Sequence, residues 1–517
     1  MTTESGSSLL IVNANVLTLD DRQPTSEAVL ITDGRVDKVG SSAELRSLAA
    51  DAEVLDVAGA CVLPGFIDGH THFEMTSVSM DHYINAHTPP CRSLADIADV
   101  IRRERDRSPE FPWVVCRSSF GVQHKVAEGR LFTRQELDEL VARKPLVVFA
   151  GLHVSMLNTA AMAALNLLTG PAPHGVTVHR DDNGEPTGVV TEIFDKLPAW
   201  PAELVAAAVA AHESDVLLAN GITSILSIPF SGSEMRAVRM AQRRGELTVR
   251  VRHYPVHPWG ASLDSFEQLG LDSDVGDDRY RFGGVKLFVD GIGSDGLDEI
   301  IDDVKYTQEQ FNDVVGRADR LGLQVLMHAF TRRGITTAAR AAVSASRNAR
   351  QSERRHRIEH GADYVNIEDL ELIRASGVSL VASPHFMYSG AIEIAPPTPL
   401  RSLIDAGFRP IGGTDSTGTV LESASPLFNI ACAVTRRRKD GSSFQLHEAI
   451  TPLEGVKMFT TWAAYGSFEE KSKGKLAPGC LGDAIILSAD PLSVAAEDLH
   501  NIKIDGTIIG GRLVYSD

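Results

Sequence analysis

The chain has 517 residues, of which 43% are hydrophobic and 23% charged, with a formal net charge of −18. This is the composition of an ordinary globular protein, long enough for one large domain with smaller ones attached. The acidic balance argues against nucleic acid or an anionic membrane as the main partner, since both are polyanions. No charge-free apolar run approaches the roughly 18 residues of a membrane span.

At the start, "MTTESGSSLLIVNANV" has no basic region ahead of its apolar stretch, so it reads as a polar tail leading into a strand rather than a secretory signal. Five scattered cysteines (Cys61, Cys91, Cys116, Cys432, Cys480) without a C-x-x-C pair fit a reducing cytoplasm better than a disulfide scaffold or thiolate zinc site. A cytoplasmic location is therefore expected. "LLIVNANVLTLD", "AVLITDGRVDKVG" and "EVLDVAGACVL" are strand-like runs broken by turn residues, and "GDAIILSAD" and "IDGTIIGGRLVYSD" have the same texture at the far end. Neither end carries enough apolar surface to fold alone. Residues 1–61 and 468–517 are therefore expected to form one composite β-sandwich.

Between them, short apolar runs alternate with helical patterns, which points to βα units and a parallel sheet. The strand candidates are "VLPGFIDG", "GITSILSI", "RVRHYPV", "GGVKLFVDG", "LQVLMHA", "RIEHG", "VSLVASP" and "PIGGTD". Eight is the number that closes a TIM-type (β/α)8 barrel, so the fold class expected is α/β, with the barrel in residues 62–75 and 206–467. Residues 76–205 are too many for one crossover. They hold helical patterns ("SLADIADVIRRERDR", "TRQELDELVAR") and a strand-like "PLVVFAG", and are read as an insertion covering the active face.

Functional groups of such a barrel sit at the C-terminal ends of its strands. Strand one ends in His70 and His72, and strand four carries Lys286. Strand five ends in His328, strand six in His360 and strand eight in Asp415. With 17 histidines in the chain, a single H-x-H means little. Six such residues at matching strand ends are a different matter, and five of them are standard ligands of zinc or a similar divalent ion.

"LPGFIDGHTH", "VKLFVDG", "LMHAF", "RIEHG" and "GGTDS" resemble, in order, the five metal-site motifs of the amidohydrolase superfamily. "GRLFTRQELDELVARKPLVVFAGLHVSMLNTAAMAALNL" followed by "DDNGEPTGVVTE" resembles the YtcJ-like (amidohydrolase-3) group, which includes N-substituted formamide deformylases. The resemblance runs from about residue 8 to the C-terminus. It implies that His70, His72 and Asp415 hold one metal and His328 and His360 a second, with a carboxylated Lys286 bridging them. Zinc, one or two ions per chain, is the metal expected. An unmodified ammonium has no lone pair, so Lys286 can be a ligand only as a carbamate. The bland alternative is a cationic Lys286 paired with a carboxylate such as Asp290.

The reaction expected is hydrolysis of an amide-type C–N bond by a metal-activated hydroxide, with Asp415 as general base. His153 in "GLHVSMLN" matches a histidine of the subgroup's insertion, and His385 in "ASPHF" follows strand seven; both are substrate-binding candidates. Glu74 makes the opening motif H-x-H-x-E and reads as a solvated or salt-bridged side chain. His82, His87, His124, His253 and His257 match no ligand position and read as structural or surface residues. "GIGSDG", residues 291–296, fits a dinucleotide-loop pattern, but Asp290, Asp295, Asp298 and Glu299 crowd it with negative charge. "RRERDR" and "TRRRKD" read as solvated faces, and neither Cys91 nor Cys116 has a partner histidine at a recognisable spacing.

Phe111, Trp113, Phe120, Phe132, Met156 and Leu157 suggest that the insertion accommodates an organic group larger than formyl on the nitrogen side of the substrate. The expected partner is thus a small molecule, an N-substituted amide, formamide, carbamate or urea, with no nucleic acid or membrane partner; homodimerisation is common among large barrels. Two competitors stand beside this reading. One is another reaction at the same site: deamination, decarboxylation or isomerisation. The other is a metal-free scaffold, which usually lacks one or more ligands, whereas this chain keeps all six.

Overall fold

In the computed structural model, the described residues are 8–517 apart from 120, 152, 174, 195, 274, 292–302, 349–354, 390–396 and 417–420. Eight strands follow the alternating pattern, except that "VLPGFIDG" is split at Gly65: Cys61–Pro64 joins the sheet of the chain's two ends, and the parallel strand begins at Phe66 rather than 62. The eight are β1 (Phe66–Thr71), β2 (Ile222–Ser227), β3 (Arg250–His253), β4 (Gly284–Phe288), β5 (Gln324–His328), β6 (Arg357–Glu359), β7 (Ser379–Ala382) and β8 (Ile411–Gly412). β1, β2 and β3 pair in parallel, and β4 through β8 form a second parallel sheet in chain order. Nearly every residue of these strands is buried, as parallel strands covered on both faces require.

The two sheets are joined by a strand that changes partner. Tyr280–Phe282 pairs with β3, and two residues later β4 pairs with β5. The switch falls on Gly283 and Gly284. Gly284 has φ +151°, and a Cβ there would lie 1.9 Å from the carbonyl oxygen of Gln324, so only glycine lets β4 lie against β5. Lys286 N–H donates to the Pro255 carbonyl and His257 N–H to the Lys286 carbonyl, tying β4 to the segment after β3. At the opposite edges β1 meets β8. Asp415 N–H donates to the His70 carbonyl at 2.8 Å and His72 N–H to the Ser416 carbonyl at 3.2 Å.

Helices cover these strands, and their ends are written in the sequence. Gly232–Arg244 begins with a Ser231/Glu234 capping box and ends at Gly245 with φ +75°; Gln308–Arg320 begins with a Thr307/Gln310 box.

The chain's two ends contribute to a six-stranded sheet, in the order Arg512–Ser516, Ile504–Ile509, Ala484–Leu487, Cys61–Pro64, Asn15–Leu17 and Thr25–Ser26. A four-stranded sheet is built from residues 8–56 alone. The run "LLIVNANVLTLD" is split at Asn13, whose φ of 52° sends Ser8–Val12 into one sheet and Asn15–Leu17 into the other. Asp483 clamps the terminal sheet to the centre through paired bonds to Arg250 of β3, at 2.7 and 2.8 Å.

Residues 84–191 are richer in strand than their sequence suggests. Leu94–Glu104 and Arg134–Leu140 are helices and Leu146–Ala150 a strand, but that strand is one of six in a mixed sheet. Ile84–Asn85, Val114–Ser118, Val154–Leu157, Thr177–Arg180 and Pro186–Thr191 escape notice because they are short and show little alternation. This sheet corrects the reading of the region's aromatic residues. Phe111 stacks on Trp200 at 3.7 Å, Trp113 and Leu157 belong to the main core, and Phe132 and Met156 lie in the core of this sheet. All five are buried in hydrophobic packing. Phe120 lies outside the described residues.

Among the described residues, no helix is long and apolar enough to cross a membrane. All five cysteines are free and buried, and burial raises the thiol pKa of Cys91 and Cys116, which suits packing rather than nucleophilic chemistry. "RRERDR" behaves as expected, with exposed Arg102 and Arg103 paired to Asp99 and Glu104. "TRRRKD" does not. Arg436 is fully buried and donates to the carbonyls of Pro397, Thr398 and Phe444, a structural staple that charge patterning cannot reveal. Of "GIGSDG" only Gly291 is described.

Candidate metal centre

The strand ends bring four histidines into an arc that His153 extends. Ring centroids are 5.5 Å apart for His72–His70, 5.0 Å for His70–His360, 4.9 Å for His360–His328 and 5.6 Å for His328–His153. Asp415 closes one end, with Oδ1 3.3 Å from His70 Nε2 and 3.4 Å from His72 Nε2. One ligand atom from each of these three residues lies within 4.8 Å of the other two. Lys286 is buried beneath, its Nζ 5.4 Å from the Phe288 ring centroid.

Partners on the far side of each ring set the proton positions. His70 Nδ1 faces a carboxylate oxygen of Glu359, and His72 Nδ1 faces the Ile228 carbonyl at 3.1 Å. Both partners only accept, so the protons belong on Nδ1 and the Nε2 lone pairs point at Asp415. Two lone pairs beside a carboxylate repel it unless a cation sits among them. His328 Nε2 and His360 Nδ1 are buried with no hydrogen-bond partner, which is costly for imidazole nitrogens left empty. Nitrogen and carboxylate donors arranged in this way fit a zinc-like divalent ion. His360 (φ 64°) and Asp415 (φ 42°) both adopt left-handed backbone, a strain that stays only where the surroundings enforce it.

The electrostatics follow from burial and neighbours. Desolvation lowers Lys286 to about 8, against the raising pull of Glu359 and Asp415. Asp290 does not serve as partner to Lys286. Its carboxylate accepts from the Phe330 and Thr331 N–H groups and the Thr331 hydroxyl.

The remaining candidates fall at different distances from this centre. His153, from the turn before Val154–Leu157, reaches it through His328 and holds Glu192 with Nδ1. His385 is buried, its ring on the Asn429 side-chain oxygen at 3.2 Å and edge-on to Phe386, which in turn stacks on His360. Glu74 is neither solvated nor at the surface. It is fully buried, bonded to Ser227 and to His253 Nε2, while His253 Nδ1 meets the Tyr280 hydroxyl at 3.0 Å. Its partners Ser227 and His253 are the last residues of β2 and β3, and Glu74 itself lies in the first turn of helix Phe73–His82. His82 stacks on Trp200, and His257 Nδ1 accepts from Leu263 N–H.

Several residues of the site carry no signal in the sequence. Glu359 and Arg357 lie within "RIEHG" but show their pairing only in three dimensions, Arg357 donating to Glu359 at 2.9 and 2.8 Å. Phe194, Phe230, Phe288 and Phe330, with Trp259, form an aromatic wall around the histidines. Phe230 stacks on His72, Phe288 and Phe330 flank His328, and Phe194 touches both Phe230 and Phe288. They come from five separate loops and strand ends, so no local pattern unites them.

A profile of the amidohydrolase family matches residues 53–515. The chain is 29% identical to an N-substituted formamide deformylase of Arthrobacter pascens, covering 98% of each chain. It is 25% identical to the putative amidohydrolase YtcJ of Bacillus subtilis (strain 168), over 97% of this chain and 98% of that one. Among solved structures, an uncharacterized metal-dependent hydrolase from Pyrococcus horikoshii OT3 aligns with a TM-score of 0.73 at 22% identity, covering 95% of this chain and 99% of its own. That last likeness establishes a shared fold.

Proposed function

The chain belongs to the amidohydrolase family, and from that premise we propose that it is a metal-dependent hydrolase of an amide-type C–N bond, built on a (β/α)8 barrel. The observation that carries the reading is the convergence of His70 Nε2, His72 Nε2 and Asp415 Oδ1 beside two unpartnered imidazole nitrogens. His70, His72 and Asp415 would hold one divalent ion, with zinc the best match to the donors, and His328 and His360 a second. Such an ion supplies an acidified water and a Lewis acid for a carbonyl.

The chain's own groups divide the remaining work. Asp415 Oδ2 is the best-placed base, since Oδ1 faces the two histidines. It takes a proton as the nucleophile adds and returns it to the departing nitrogen. Glu359 and the Ile228 carbonyl keep His70 and His72 in the ligating tautomer. Lys286, with its pKa brought down to about 8, would offer a neutral amine to carbon dioxide, and the carbamate formed with loss of a proton would supply anionic oxygen donors in place of a buried cation. Phe194, Phe230, Phe288 and Trp259 make the outer wall apolar, which favours an organic substituent on the substrate nitrogen.

The test is a panel of N-substituted formamides, amides, carbamates and ureas, with aminopurine and carboxylate controls, assayed on protein reconstituted with zinc or manganese. Cleavage of the amide-type compounds, abolished by chelator and restored by metal, is the expected result. Turnover of the controls alone would replace this reaction with deamination or decarboxylation at the same site.

A further inference from the structure

His153 is held from behind by a carboxylate that no strand-end motif contains. Its Nδ1 lies 3.1 and 3.2 Å from the two oxygens of Glu192, and the backbones are joined by a 2.8 Å bond from Glu192 N–H to the His153 carbonyl. Both residues are buried. Glu192 follows strand Pro186–Thr191 in a left-handed conformation, φ 60°, which an unbranched glutamate adopts only under constraint. Lys305 Nζ stands 3.8 Å from Glu192 Oε2, the oxygen 3.2 Å from His153 Nδ1, and donates to the Gly175 carbonyl at 3.3 Å. Lys305 follows the short strand that pairs with Asp290–Gly291 after β4, and its N–H donates to the Val289 carbonyl.

On its open side the His153 ring meets His328 at 5.6 Å and packs edge-on to Phe194 and Phe330. A carboxylate on Nδ1 leaves Nε2 as the nitrogen turned toward the metal centre. The arrangement repeats, with a residue outside the ligand set, the logic by which Glu359 orients His70.

We infer that Glu192 is a positioning residue: it fixes the proton on His153 Nδ1 and so presents Nε2 to the substrate beside His328, with Lys305 bracing the carboxylate from the loop after β4. The inference rests on the hydrolase reading above and deepens it by giving the sheet of residues 84–191 a direct part in substrate contact. His153 is the substrate-touching member, while Glu192 and Lys305 act only through it. The substrate must then bring a polar atom, the carbonyl oxygen or the amide nitrogen, to the His328 side of the centre.

Two independent readouts test this. The first needs no substrate: in protein labelled at histidine nitrogen, the His153 signal, identified by its loss in His153→Gln, should be that of a Nδ1-protonated ring. Glu192→Ala should abolish that signature and Glu192→Gln retain it, because the amide oxygen still accepts. The second is kinetic. Glu192→Ala should lower kcat by about 10- to 100-fold with little change in KM and unchanged metal content, as for loss of an orienting partner. Glu192→Gln should recover part of the loss, and the Glu192→Ala/His153→Ala pair should be no worse than His153→Ala alone. A wild-type His153 protonated on Nε2 alone, or losses that multiply in the double variant, would overturn the inference. If the metal-loaded protein cleaves no amide-type compound, the hydrolase reading falls, while the nitrogen signal still decides whether Glu192 sets the tautomer of His153.

Discussion

Glu359 of β6 holds His70 of β1 by its Nδ1, and Arg357, two residues back on the same strand, grips that carboxylate with two hydrogen bonds. Burial alone would raise the carboxyl pKa; Arg357, His70 and Lys286 hold it well below its usual range, so it stays ionised. An ionised acceptor on Nδ1 keeps the Nε2 lone pair available to a metal. Glu359→Gln is therefore expected to weaken zinc binding by about 10- to 100-fold, as loss of such partners usually does. Competitive titration against a zinc chelator, on folded protein, measures it. An affinity equal to wild type would show that His70 does not need this partner.

The proposed carbamate on Lys286 predicts a metal stoichiometry. Its Nζ is buried with the charges of Glu359 and Asp415 bearing on it, and desolvation already disfavours the cation. Elemental analysis of protein purified without chelator and with bicarbonate should find close to two metals per chain. Lys286→Ala should reduce this to about one, held by His70, His72 and Asp415. Equal metal content in the two proteins would remove Lys286 from the ligand set.

The parts of the fold that could be read in the sequence are those set by local pattern. Eight buried strands announce themselves as short apolar runs, and the histidines and the aspartate at their ends stand out because they recur at matching positions. Relationships across the structure were not legible. The partner of His70 lies 289 residues away. The strand change at Gly283 looked like the start of a single strand. The aromatic residues of 84–191 looked like a binding wall because spacing does not distinguish a core face from a cavity face. Phe194 and Phe330, which do approach the histidines, follow strands in loops whose course no periodicity describes. Glu192 closes the quoted stretch "DDNGEPTGVVTE", yet its role emerges only from the position of His153.

Asp290 gives a pH dependence whose sign can be worked out. Burial raises its carboxyl from 3.8 to about 6, against bonds from Thr331 and Phe330. A raised folded-state value means that the folded protein holds the proton longer than the unfolded chain does. The stabilisation is complete below the unfolded value and is lost as pH rises through about 6. Wild type should thus lose roughly 1.4 kcal/mol per pH unit relative to Asp290→Asn across that window, and no more above it. Asn also loses one acceptor, a constant offset, so the slope is the quantity to read. Thermal unfolding of both proteins at successive pH values provides it, and parallel curves would contradict the assignment.

Phe194 is where substrate preference should be tunable without touching the ligands. It is partly exposed, edge-on to His153 at 6.2 Å, in contact with Phe230 and Phe288, and 6.2 Å from the half-exposed ring of Trp259. A ring on the substrate nitrogen that entered this wall would gain an aromatic contact worth about 0.5–1.5 kcal/mol beyond its buried area. Phe194→Ala should therefore raise KM for ring-bearing N-substituted formamides by roughly 3- to 10-fold, the same energy expressed as binding. A small N-alkyl formamide, too short to reach Phe194, should keep its kcat/KM within about 2-fold if only that contact is removed. Equal losses for both substrates would mean that Phe194 supports His153 rather than the substrate. No loss for either would place the substituent elsewhere, with Phe386 beside His360 the next side chain to replace.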